Sequence, residues 1–94
     1  MVKEVRCAHI LVRGQDVAQA VLDELKFGGK SFEKLAEEKS LCPSGRRGGD
    51  LGWFARGNMV REFEKAAFSL KKGEMSGLVR TEFGWHIIKC LDTR

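Results

Sequence analysis

From Val5 to Val12 two alternating series run along the chain, Val5, Cys7, His9 and Leu11 against Arg6, Ala8, Ile10 and Val12, and both are largely apolar. A strand with one wet face alternates cleanly, so this one is predicted to be covered on both sides. Gly14 ends it, and Asp16 is the expected N-cap of a helix. Val17, Ala20, Val21 and Leu25 give that helix an apolar stripe at i, i+3, i+4 and i+8, and Gly28-Gly29 stops it. Ser31 is the expected cap of a second helix that turns Phe32, Leu35 and Ala36 inward. Between Cys42 and Asp50 lie Pro43 and three glycines, so a loop with at most one short helical turn is expected. Leu51 to Phe54 reads as a short strand and Arg56-Gly57 as a turn. Phe63, Ala67 and Leu70 mark a further helix, with Met59 one turn ahead of Phe63, and Lys71 to Glu74 ends it. Leu78 to Thr81 is a strand. Glu82 to Gly84 turn the chain into a last strand, Trp85 to Leu91, with His86, Ile88 and Cys90 on one face.

Strands and helices do not alternate regularly in this order, which predicts an α+β domain. The first and last strands are the most apolar and are therefore expected at the centre of the sheet, side by side. Each carries one of the chain's two histidines, His9 and His86. An imidazole inside a β-core must find partners for its nitrogens. Pairing the two rings satisfies both, so a central hydrogen-bonded pair is expected to mark a site.

Composition narrows the class. A chain of 94 residues is one small domain, expected to span 1–94. Hydrophobic residues at 43%, charged residues at 32% and a single proline describe a globular chain. No apolar run approaches the roughly 20 residues of a membrane span, and Met1 to Val5 lacks a signal-peptide core, so a cytosolic protein without a membrane partner is expected. The three cysteines, Cys7, Cys42 and Cys90, are an odd number without CxxC spacing, so a disulfide scaffold is not expected. Cys7 and Cys90 read as packed core thiols. The net charge of +4 favours acidic partners only mildly. The basic residues are scattered apart from Arg46-Arg47 and Lys71-Lys72, and no motif supports nucleic acid as a partner.

Five segments, in order, carry a resemblance. They are His9-Ile10-Leu11-Val12, Cys42 through Gly52, Phe54 to Val60 with Phe63 and Phe68, Gly73-Glu74, and Phe83-Gly84-Trp85-His86-Ile87-Ile88-Lys89. Together the chain resembles a parvulin-type peptidyl-prolyl cis/trans isomerase from about Cys7 to Lys89. The resemblance implies an FKBP-like fold: a four-stranded antiparallel sheet, first and last strands central, surrounded by four helices. It implies rotation about the peptide bond before proline, with proline-containing polypeptides as partners and a monomer as the working unit. It assigns His9, Cys42, Thr81 and His86 to the catalytic centre, and Leu51, Phe54, Met59, Phe63 and Phe83 to substrate binding.

The chemistry requires no bond-making. Rotation is opposed by about 18–20 kcal/mol of C–N double-bond character, and a 10⁴-fold acceleration removes about 5.5 kcal/mol. An apolar pocket that fits the twisted imide better than either planar form supplies part of this. Polar groups tuned to the twisted state supply the rest. No cofactor and no metal are expected. Cys42 could act as a polarizable neighbour or as a transient nucleophile. The non-covalent role is favoured, because the sequence places no base beside it to make a thiolate. Cys7 and His9 share a face, as do His86 and Cys90, a set that could suggest zinc. If His9 lies opposite His86, however, the cysteines fall out of register.

The chain also departs from part of the family. Phosphoserine-directed parvulins have a basic cluster in a long loop after the first strand, and here only Arg13-Gly14-Gln15 stands there. Leu41 replaces an acidic residue found before the cysteine in some relatives. Isomerisation that is not phosphate-directed, prefers an apolar residue before proline and assists protein folding is therefore expected. The alternative is an adaptor that binds peptide or nucleic acid in the same groove without turnover.

Overall fold

The computed structural model describes residues 2–94. The elements are β1 (Glu4–Val12), α1 (Gln15–Phe27), α2 (Phe32–Lys39), a 3-10 turn (Pro43–Arg47), β2 (Asp50–Ala55), α3 (Arg61–Ser69), β3 (Val79–Thr81) and β4 (Gly84–Thr93). The strands form one antiparallel sheet in the order β2-β1-β4-β3. The first and last strands are central, as their two apolar faces predict. Of the four helices expected, three are α-helices and the fourth is the single 3-10 turn.

The two faces of the central strands build two cores. Ala8, Ile10, Val12 and Ile87 pack against Ala18, Val21 and Leu22 of α1 and Phe32, Leu35 and Ala36 of α2. Val5, Cys7, Ile88 and Cys90 pack on the other side against Phe54, Phe63 and Ala67. The sheet is thus the middle layer of three. Among the described residues no helix is long and apolar enough to cross a membrane.

Three local expectations are corrected. The N-cap of α1 is Gly14, without a side-chain cap, because the first turn closes on the Gly14 carbonyl through Ala18 N–H at 3.0 Å. Asp16 sits inside the first turn, where a carboxylate faces the positive helix end. The buried stripe is Ala18, Val21 and Leu22, with Leu25 partly buried, and Val17 is 49% exposed. Ser31 does cap α2, its hydroxyl accepting from Lys34 N–H at 3.1 Å. The helix carrying Phe63 begins at Arg61 behind Val60, so Met59 precedes it rather than belonging to its first turn.

The register across β1 and β4 also differs from direct opposition of the histidines. Cys7 faces Cys90, His9 faces Ile88 and Leu11 faces His86. The pairing slips by one residue between Arg6 and Cys7, where Leu91 is extra on β4. The histidines are therefore diagonal neighbours, and it is the cysteines that stand opposite each other.

Candidate active site

Hydrogen bonds to the main chain of β1 pin the His9 strand in place. His9 N–H donates to the Gly49 carbonyl at 3.0 Å. Gly49 has φ +86°, and a Cβ there would stand 2.4 Å from the His9 carbonyl oxygen. Only glycine allows both the left-handed conformation and that approach. One step along, Leu11 N–H donates to Ser40 Oγ at 3.1 Å, and Leu41 N–H donates to the Leu11 carbonyl at 2.8 Å. Ser40 Oγ also accepts from Cys42 N–H at 3.3 Å. The segment before the 3-10 turn is thereby laid along β1, and Cys42 reaches the same face as His9.

His9 and His86 are buried, and their Nδ1 atoms lie 3.0 Å apart. The rings are nearly parallel, with centroids 5.2 Å apart and planes at 17°. His86 Nε2 lies 2.6 Å from Thr81 Oγ1, and Thr81 Oγ1 accepts from Phe83 N–H at 3.1 Å. β3 and β4 present these groups together because Thr81 pairs with Gly84 across their tight turn. Gly84, at φ +137°, lies so close to Val12 that a Cβ would be 2.6 Å from its carbonyl oxygen. Phe63 from α3 sets its ring nearly perpendicular to both imidazoles, at 5.4 Å from His9 and 5.3 Å from His86.

The Nδ1 contact needs one proton between the two nitrogens. If His86 Nδ1 carries it, the Thr81 hydroxyl donates to His86 Nε2 and His9 Nε2 is an N–H donor. If His9 Nδ1 carries it, His86 Nε2–H donates to Thr81 and His9 Nε2 is an acceptor. His9 Nε2 itself is buried without a protein partner. Both arrangements are neutral, in keeping with the electrostatics. Burial, reinforced by the positive charge His86 would carry, lowers the pKa of His9 to about 4. Burial lowers that of His86 in the same direction.

Above this chain opens a cavity of about 400 Å³. His9 and His86 form its floor, and Leu11, Leu51, Met59, Val60, Phe63 and Phe83 supply apolar walls. Cys42 and Asn58 stand at the wall as its other polar groups. Phe83 is 59% exposed, so the rim offers an aromatic ring to anything that enters. Among the described residues no cluster of three His, Cys, Asp or Glu side chains could hold a metal ion.

The structure thus gathers His9, His86, Cys42, Leu51, Met59, Phe63 and Phe83 at one cavity, with Thr81 behind His86. Phe54 is a correction. It is 4% exposed in the core, paired with Val5 across the sheet and set behind Phe63 with ring centroids 6.1 Å apart and planes tilted by 52°, so it supports the wall without lining the cavity. The sequence reasoning missed Leu11, Asn58 and Val60, and the pins Ser40 and Gly49. Leu11 was within reach, since it shares the parity of His9 on the strand. Ser40 and Gly49 were not, because their roles depend on which loop returns to which strand.

Residues 9–92 match the family model described as "Rotamase: PPIC-type PPIASE domain". The foldase protein PrsA of Geobacillus kaustophilus is 50% identical over 95% of this chain and 32% of its own length. The chain therefore spans about a third of the curated relatives of this kind. The crystal structure of PrsA from Bacillus anthracis superposes with a TM-score of 0.94 at 40% identity, covering 99% of this chain and 43% of that one. The solution structure of NmPin, the parvulin of Nitrosopumilus maritimus, gives a TM-score of 0.82 at 46% identity. There the overlap covers 96% of this chain and 97% of the other.

Proposed function

This chain belongs to the PpiC-type parvulin family of peptidyl-prolyl cis/trans isomerases, and from that premise we propose that it isomerises bonds between an apolar residue and proline in unfolded or partly folded polypeptides. The carrying observation is the apolar cavity of about 400 Å³ set on the His9–His86–Thr81 chain. The proline ring enters between Met59, Val60 and Phe63. The imide it carries then lies over the neutral histidines and beside Cys42. Leu51 and exposed Phe83 flank the entrance and favour an apolar residue before the proline.

The mechanism follows from the walls. A planar imide keeps its charge-separated resonance form, whereas a twisted one has lost it. Exclusion of water by Met59, Val60, Leu51 and Phe63 removes solvent stabilisation that favours the planar form. A cavity that fits the twisted imide better than either planar form lowers the barrier. The histidines hold the floor, each fixing the other's ring. They are neutral at pH 7 and need move no proton to substrate. Cys42 contributes a polarizable sulfur at the wall and forms no covalent intermediate.

The β1–α1 connection supports a preference that is not phosphate-directed, since it consists of Arg13 and Gly14 alone. A contribution to protein folding accords with the name of the foldase relatives. A panel of Xaa–Pro peptides with Leu, Phe, Ala, Glu and phosphoserine before the proline tests this reading. The highest kcat/KM is expected for Leu and Phe. A maximum at phosphoserine would overturn the preference, and binding of every peptide without faster isomerisation would make the chain an adaptor.

A further inference from the structure

Cys7 and Cys90 are cross-strand partners on the two central strands, both fully buried and both free thiols. Their pair is of the non-hydrogen-bonded kind. Cys90 N–H donates to the Glu74 carbonyl at 2.9 Å, and its carbonyl accepts from Gly73 N–H at 2.8 Å, so both main-chain groups turn away from β1. In antiparallel ladders such pairs bring their Cα atoms to about 4.5 Å, with side chains closer than in the alternate pairs. Disulfides span Cα separations of about 4.4–6.8 Å. The two side chains point to the same face, into the cluster of Val5, Phe54, Phe63 and Ile88. They affect each other's ionisation: burial first, then the neighbouring Cys90, pushes the Cys7 thiol up to about 12. Burial raises Cys90 as well.

We propose that Cys7 and Cys90 form a cross-strand disulfide when the chain folds in an oxidising environment, stapling the first strand to the last beneath the histidine pair. The oxidant is a small-molecule disulfide. In the open chain one cysteine thiolate attacks a sulfur of oxidised glutathione, giving a mixed disulfide and one glutathione thiolate. The second cysteine thiolate then attacks the protein-bound sulfur, closes the bridge and expels a second glutathione thiolate. The two protons lost by the cysteines end on the two glutathione thiols. In the closed fold neither thiol reaches an oxidant or ionises readily, so the reaction belongs to folding and to transient opening rather than to the native state. The bridge joins residues near the two ends of the chain, and it therefore constrains the unfolded state strongly. Its position two residues from His9 on β1 links the oxidation state to the rigidity of the site floor.

The test is refolding of the full chain carrying Cys42→Ala, which leaves the pair as the only thiols. Refolding in reduced and oxidised glutathione is expected to yield a monomer about 2 Da lighter with no titratable thiol. Its Tm should be higher than that of the reduced form by on the order of 10 °C. The Cys7→Val variant fills the same apolar site and should fold, but show neither the mass loss nor the gain. A native protein that keeps both thiols through refolding at every glutathione ratio overturns the proposal. So does a product carrying only glutathione adducts, or a bridge that lowers Tm. None of these readouts depends on isomerase activity.

Discussion

Acidification should unfold this protein earlier than its carboxylates alone would dictate, because two histidines are buried neutral. A free imidazole binds its proton near pH 6.5, whereas folded His9 does so at about 4. Between those values the unfolded chain holds a proton at His9 that the native chain lacks. Stability therefore rises with pH across the window: it is full above about pH 6.5 and falls as pH drops toward 4. At about 1.4 kcal/mol for each pH unit, the loss at His9 amounts to about 3 kcal/mol. His86 acts in the same direction, through burial. Domains of this size have about 5–15 kcal/mol in all, so the effect is a large fraction of the total. Urea unfolding followed by Trp53 and Trp85 fluorescence between about pH 7 and pH 4.5 reads it. The Asp50 carboxyl, held below its ordinary value by the Arg6 guanidinium, gives up its own contribution mainly below that range. A flat profile across this range, or NMR titration of folded His9 near pH 6.5, would refute the reasoning.

Substitutions at four positions probe the parts separately. Gly49→Ala forces a Cβ against the His9 carbonyl at positive φ, and should cost about 2 kcal/mol or more, read as a drop in Tm by calorimetry; an unchanged Tm would contradict the pinning of His9. Thr81→Val strands His86 Nε2 and Phe83 N–H without their partner and should cost about 1–3 kcal/mol, whereas Thr81→Ser should restore most of it in the same urea assay. Met59→Ala opens the proline wall and should raise KM several-fold for a Leu–Pro peptide with a smaller change in kcat. Cys42→Ala should lower kcat only partly, and complete loss with Cys42→Ser would revive a covalent role.

The architecture was legible in the sequence where burial leaves a pattern. Two strands apolar on both faces had to be central, and two histidines on them had to meet. Register left no such pattern. The extra Leu91 on β4 shifts the partner of every residue from Cys7 onward, so that Cys90 rather than Leu91 faces Cys7 and Ile88 rather than Lys89 faces His9. Helix starts were blurred for a similar reason. The Gly14 carbonyl closes the first turn of α1, and that rotates Val17 out to solvent. Phe54 is assigned to substrate binding by the family resemblance alone. Strand parity directs it instead beside Val5, behind Phe63. The pins at Ser40 and Gly49 arise only once the loop before β2 folds back on β1, a tertiary event that no local spacing announces.

The central claim is that the cavity on the His9–His86–Thr81 floor turns the imide rather than merely holding it. Two-dimensional exchange NMR on a Leu–Pro peptide tests this most directly, because it reads the cis/trans interconversion rate at equilibrium. Substoichiometric protein is predicted to produce cis–trans exchange cross-peaks at mixing times where the free peptide, which takes tens to hundreds of seconds, shows none. The Met59→Ala variant should weaken them. Shifted peptide resonances that prove binding, with no exchange cross-peaks at any ratio of protein to peptide, would contradict the account.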